Sequence, residues 1–161
     1  MALAWLAVHA IELGIDRHNI VVAGSSAGAQ LAAMVCLPVS WPGQVPACRT
    51  RAAVLVSGIY ELEPLLATSI NVALGLDAAA ARALSPALHP LAGFPATVVC
   101  WGEIETEAFK VQSQEFAAAL RAVGTPCEAF EVPGCNHFDV VLDLAEPRTL
   151  LGRHTLALFG R

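Results

Sequence analysis

Three continuous apolar runs, "IVVAG" (20–24), the core of "RAAVLVSG" (51–58) and "ATVVCWG" (96–102), break the chain at wide intervals. Each is short, rich in β-branched residues and bounded by turn formers, the pattern of a strand buried on both faces. A fourth strand is expected at "PCEAFEVPG" (126–134), where apolar and polar positions alternate. Between the runs the period changes to that of helices. Leu3, Leu6, Ala7, Ala10 and Leu13 recur at helical spacing, with Gly14 as the stop. A second helix is predicted from Ala27 to Leu37. A third runs from Glu107 to Val123, with Phe109, Phe116, Ala117 and Leu120 on one face and Gly124 at its end.

The segment "PVSWPGQVPACRT" (38–50) reads as a loop, and the long excursion over 59–95 as short helical pieces divided by breakers. "CNHF" (135–138) is expected to be a loop, followed by two further helical segments. Strands separated by helices imply parallel crossovers, hence a three-layer α/β/α domain on a mainly parallel sheet. No internal repeat or linker divides the 161 residues, so one domain is expected over 1–161.

Composition narrows the function. Hydrophobic residues make up 56% and charged residues 14% of the chain, enough apolar material for a sizeable core. The formal net charge of −5, without a cluster of Lys or Arg, gives no footprint for nucleic acid or an anionic membrane. No stretch reaches the roughly 18 to 20 apolar residues of a membrane span. "MALAWLAVHAIELG" lacks the basic leader and cleavage site of a signal peptide. The five cysteines contain no C-x-x-C pair, which fits reduced thiols in a cytoplasmic protein and gives no reason to expect a metal or organic cofactor.

The candidate chemistry lies at Gly24–Gly28, "GSSAG", a G-x-S-x-G match centred on Ser26. Here the predicted context is a strand before and a helix after, as a nucleophile elbow requires: a strained turn lifts the serine out of the sheet, and small flanking residues avoid collision. A phosphate-binding turn is the other use of such a junction, but no lysine follows as in a P-loop.

A serine hydroxyl needs a base to take its proton and an acid to hold that base. In the elbow fold these follow in the order Ser, acid, His. His9 and His18 precede Ser26; His89 lies in the excursion and His154 in the terminal helical segment. His137, just after the last strand, is where the base is expected. The acid should follow the preceding strand, where Glu103, Glu105 and Glu107 all stand. Glu107 is suited to opening the helix, and Asp139 is too close to His137 in sequence to reach its Nδ1.

Four segments resemble the arylformamidase (kynurenine formamidase) branch of the α/β-hydrolases, close to small carboxylesterases: "GIDRHNIVVAGSSAGAQLAAM", "VSGIYELEPLLATSINVALGL", "GEIETEAFKVQSQEFAAAL" and "VPGCNHFDVVLDLA". The resemblance implies a serine hydrolase acting on arylformamides or small carboxylic esters, with Ser26 as nucleophile, His137 as base and Glu105 as acid; Glu103, directly after the Gly102 break, is the alternative acid by position. It implies the N–H of Ala27 as one oxyanion donor, and Tyr60, Leu62 and Asn71 near the acyl or aryl pocket.

That branch also carries a His-Gly-Gly segment upstream of the elbow, which supplies a second oxyanion donor; this sequence contains no His-Gly pair. Losing one such donor costs on the order of 10²–10³ in rate. The expectation is a C-terminal portion of the fold whose elbow strand is an exposed apolar edge. That edge would associate with a second copy or with a separate N-terminal segment. A catalytically impaired binding module is the contrasting expectation.

Overall fold

The computed structural model describes residues 2–37 and 50–160. The predicted loop over 38–50 lies, apart from Thr50, outside the described residues. Four strands form one parallel sheet in the order β1-β2-β3-β4: β1 Val21–Ser25, β2 Ala52–Val56, β3 Ala96–Ile104 and β4 Cys127–Asn136. Sequential strands are spatial neighbours, each returned to the same end of the sheet by an intervening helical segment.

The period of two along each strand divides the core. Ala53, Leu55 and Val99 face one side, packed with Ala29, Ala33, Phe116 and Leu120 from helices α3 (Ala27–Cys36) and α6 (Glu107–Ala122). Val54, Val56, Val98 and Cys100 face the other, against Val140 and Leu151 from the 3-10 turn Val140–Ala145 and helix α7 (Leu150–Ala157). Every residue of β2 is buried, so its uninterrupted apolar run is what two covered faces demand. The excursion forms 3-10 turns at Glu63–Ala67 and Pro86–Leu88 around helices α4 (Ile70–Leu74) and α5 (Ala78–Ala83). Asp77 caps α5, its side chain accepting from the Ala80 N–H.

Several boundaries differ from the sequence expectation. The first helix bends at His9 into α1 (Ala2–Val8) and α2 (Ala10–Leu13), where the His9 ring stacks on Trp5 and its Nδ1 hydrogen bonds the Trp5 carbonyl. Gly14 ends α2 in the left-handed conformation, as its position predicted. The expected buried face is only partly used: Ala7 and Ala10 are buried, but Leu13 is 45% exposed. The segment after the last predicted strand is not a loop from Cys135. β4 continues to Asn136 through a register shift against Gly102 and Ile104. The bulge makes room for ten strand residues and delivers His137 at the sheet's end.

β1 pairs with β2 alone among the described residues and forms one edge of the sheet, with Ala23 exposed. No helix among the described residues is long and apolar enough to cross a membrane.

Candidate active site

Each strand places one polar residue at the position directly after its last residue. Ser26 follows β1, Ser57 follows β2, Glu105 follows β3 and His137 follows β4. Because all four strands are parallel, these residues gather at the carboxyl edge of the sheet, where open α/β sheets bind their ligands.

The turn at Ser26 is tight because the strand runs directly into α3. Ser26 has φ 56° and ψ −121°, its N–H donates to the Val56 carbonyl at 2.9 Å, and its carbonyl accepts from Ala29 and Gln30. Such a backbone is strained for a residue with a side chain. Gly24 shows the steric reason for the motif, since a Cβ there would lie 2.1 Å from the Gly28 carbonyl oxygen. At Gly28 a Cβ would meet nothing within 4 Å, so the two flanking glycines are not equivalent. Ala27 opens α3, where its N–H has no intrahelical acceptor and is available beside the serine.

His137 joins Ser26 to Glu105. The Ser26 hydroxyl donates to His137 Nε2 at 3.1 Å, and the Nδ1–H of His137 donates to Glu105 Oε2 at 3.0 Å. The tautomer follows from these partners, because a carboxylate at Nδ1 requires a proton there and leaves Nε2 as acceptor. The imidazole is 19% exposed, and the ring of Phe109 lies against it at 4.2 Å between centroids. The Glu105 side chain is fully buried. Its other oxygen, Oε1, accepts from the Gly102 N–H at 2.6 Å and the Ser57 hydroxyl at 2.5 Å, so three donors surround a carboxylate removed from water.

Glu103, the other acid considered, accepts from the Gly134 N–H at 2.7 Å and fixes the bulged end of β4. Asp139 accepts from both the N–H and Nδ2 of Asn136, orienting the residue before His137. Glu107 stands in the first turn of α6.

The three residues named for a pocket are differently placed. Tyr60 is 1% exposed, its ring stacked on Phe116 at 4.2 Å inside the core. Burial pushes its hydroxyl far above the usual phenol range, so it stays protonated. Leu62 is also buried, its N–H donating to the Ser85 hydroxyl at 2.8 Å. Asn71 bonds the backbone of Leu76 through both its amide groups, closing the end of α4. Tyr60 and Leu62 are thus buried, and Asn71 lies at a helix terminus.

Two contributors went unnoticed in the sequence. Ser57 and the Gly102 N–H bind Glu105. The signal for Ser57 was a lone hydroxyl closing an otherwise apolar strand. Gln112 also acts across elements: its Oε1 accepts from the Tyr60 and Glu61 N–H groups and its Nε2 donates to the Glu61 carbonyl, tying α6 to the chain beyond β2. No three His, Cys, Asp or Glu side chains among the described residues are grouped to hold a metal ion.

Residues 1–140 match a family model described as the alpha/beta hydrolase fold. The kynurenine formamidase of Danio rerio is 32% identical over 148 residues, covering 89% of this chain and 50% of its own length. An esterase of Mycobacterium tuberculosis is 29% identical, over 86% of this chain and 37% of its own. Among solved structures, a butyrate-bound thermophilic esterase of the planctomycete Thermogutta terrifontis superposes with a TM-score of 0.74 at 26% identity, covering 99% of this chain and 63% of that one. The chain spans about half the length of the curated formamidases it matches.

Proposed function

The chain belongs to the α/β-hydrolase family, and from that premise we propose that it carries the nucleophile, base and acid of a serine hydrolase acting on arylformamides or small carboxylic esters. The observation that carries the proposal is the continuous hydrogen-bond chain from Ser26 through His137 to Glu105. His137 Nε2 takes the hydroxyl proton as Ser26 Oγ attacks the formyl or acyl carbonyl carbon. Glu105 holds the imidazole in the required tautomer and balances the imidazolium. The Ala27 N–H, at the positive end of α3, donates to the developing oxyanion. The protonated His137 then gives its proton to the departing amine or alcohol. A water activated by the same nitrogen releases formate or the carboxylic acid.

The two substrate classes share this chemistry and differ in the leaving group. The formamidase and esterase relatives support both. Parallel assays of N-formyl aromatic amines and p-nitrophenyl butyrate, with Ser26→Ala as control, test the reading: Ser26-dependent release of formate or butyrate supports it. Absence of turnover of both substrates by folded protein counts against catalysis by this chain. The free thiols at Cys36, Cys100, Cys127 and Cys135 support a cytoplasmic setting for the reaction.

A second proposal concerns the edge. Exposed Ala23 on β1, with Leu31 on α3 and Val8 and Ile11 on the first two helices, supports pairing of β1 with a further strand. That strand would come from a second copy or from an N-terminal hydrolase segment. A loop following it at the same sheet edge would bring a second oxyanion N–H beside Ala27.

A further inference from the structure

We infer that Ser57 is a positioning residue for the acid: its hydroxyl, together with the Gly102 N–H, fixes the Glu105 carboxylate so that Oε2 alone is presented to His137. The inference rests on the serine-hydrolase reading above and extends it to a fourth side chain.

Ser57 is fully buried, and its hydroxyl donates to Glu105 Oε1 at 2.5 Å. A carboxylate has two equivalent oxygens and two side-chain torsions beyond χ1. Without restraint on Oε1 it rotates between bonding His137 with either oxygen. Two donors from different strands remove that freedom, the Gly102 N–H from β3 and Ser57 from the end of β2. Each belongs to a rigid element. The Ser57 N–H is held by the Cys100 carbonyl at 2.8 Å, and a Cβ at Gly102 would lie 2.4 Å from the Cys135 carbonyl oxygen, so β3 and β4 are in close contact there.

The backbone at Ser57 adds a second observation. Its φ is 48°, a conformation that disfavours any residue with a Cβ, yet glycine does not occupy the position. A hydroxyl with a necessary partner is a reason to keep a side chain where glycine relaxes the backbone. The nearby titratable groups do not replace it. Cys100 is buried on β3, where desolvation first, and then Glu105 and Asp143, push its thiol far above the usual range, so it carries no charge. Asp139 is engaged by Asn136.

The test compares Ser57→Ala, Ser57→Gly and Ser57→Cys with wild type. It reads the rate of Ser26 modification by a fluorophosphonate across a pH series, and the low-field ¹H resonance of the His137 Nδ1–H in protein carrying ¹⁵N-histidine. Loss of a hydrogen bond to a buried charge predicts a rate lower by roughly tenfold to a hundredfold in both Ser57→Ala and Ser57→Gly. Ser57→Cys, with a weak donor, falls between. The acid limb of the rate profile and the Nδ1–H resonance move with the rate.

Wild-type rates, profiles and resonances in Ser57→Ala and Ser57→Gly overturn the inference. So does a defect in Ser57→Ala that Ser57→Gly repairs, because strain rather than the hydroxyl is then responsible. If Ser57→Ala fails to fold, the glycine and cysteine variants decide. If wild type is never labelled, the hydrolase reading fails, and the resonance decides Ser57 separately: displacement in the variants supports positioning, and an unchanged resonance overturns it.

Discussion

Ser26 and Ser57 occupy equivalent places on neighbouring parallel strands, each the first residue beyond the strand and each with positive φ, 56° and 48°. Their N–H groups extend the ladder by one bond, Ser26 to the Val56 carbonyl and Ser57 to that of Cys100. The strands end in step, and the two hydroxyls meet opposite ends of one hydrogen-bond chain: Ser26 bonds His137, and Ser57 bonds Glu105. Strain of this kind, about 1–3 kcal/mol for each residue, is held by the buried sheet beneath.

The acid assignment has a direct consequence for mutants. Glu105→Ala removes the carboxylate that bonds His137 Nδ1 and is expected to lower Ser26-dependent turnover by roughly 10³–10⁴-fold. Glu103→Ala, which releases only the Gly134 N–H, is expected to stay within about tenfold of wild type. Steady-state kinetics of the two purified variants, with circular dichroism to verify folding, distinguish them. The reverse order of effects would assign the acid to Glu103.

The glycines of the elbow differ in what they tolerate. Gly24→Ala forces a Cβ to 2.1 Å from the backbone of Gly28 and is expected to destabilise the fold by at least about 1–3 kcal/mol. Gly28→Ala meets no neighbour and sits in the first turn of α3, so its stability is expected to equal or slightly exceed that of wild type. Urea unfolding midpoints check both.

Much of this site was legible because its parts are local in sequence. "IVVAG" followed by "SSAG" encodes a strand, a forced turn and a helix within a dozen residues. His137 follows the last predicted strand, although that strand continues past Pro133 and Gly134 to Asn136. The identity of the acid was not local. Three glutamates lie within five residues, and the choice among them depends on where the bulge in β4 leaves Gly134 and on the donor that β2 contributes. The resemblance to arylformamidases pointed to Glu105, which is the glutamate that bonds His137 in the structure. For Tyr60 the same resemblance indicated the neighbourhood of a pocket; what no local pattern showed is that its ring stacks on Phe116, 56 residues away in sequence. The first helix, read as one piece, breaks at His9, and because periodicity marks an apolar face but not what covers it, Leu13 remains exposed.

Alkaline pH is expected to weaken the fold. Burial pushes the Cys36 and Cys127 thiols up to about 11, and Cys100 higher. The folded state therefore keeps protons that the unfolded chain releases above about 9, the ordinary value from which these thiols are raised. Stability from these groups is fully present below that pH and is lost as pH rises through the folded values. Urea midpoints should fall from pH 8 to pH 10.5, and less steeply in Cys36→Ala after its own baseline loss is subtracted. A flat profile would show that the thiols do not govern this range.

The edge of β1 predicts association. Light scattering after size exclusion is expected to find the chain in multimers or in complex with an added N-terminal hydrolase segment. Ala23→Lys, which places a charge on the exposed edge, should shift the multimers toward monomer. A stable, monodisperse wild-type monomer that ignores the added segment would contradict the pairing.

Ser26 is expected to react as an activated nucleophile held by His137 and Glu105. Incubation of the folded chain with a fluorophosphonate, followed by intact mass measurement and peptide mapping, tests it most directly. A single adduct is expected on Ser26, absent from Ser26→Ala and strongly slowed in His137→Ala and Glu105→Ala. A well-folded wild type that stays unmodified, or is modified at the same rate without His137, would contradict it.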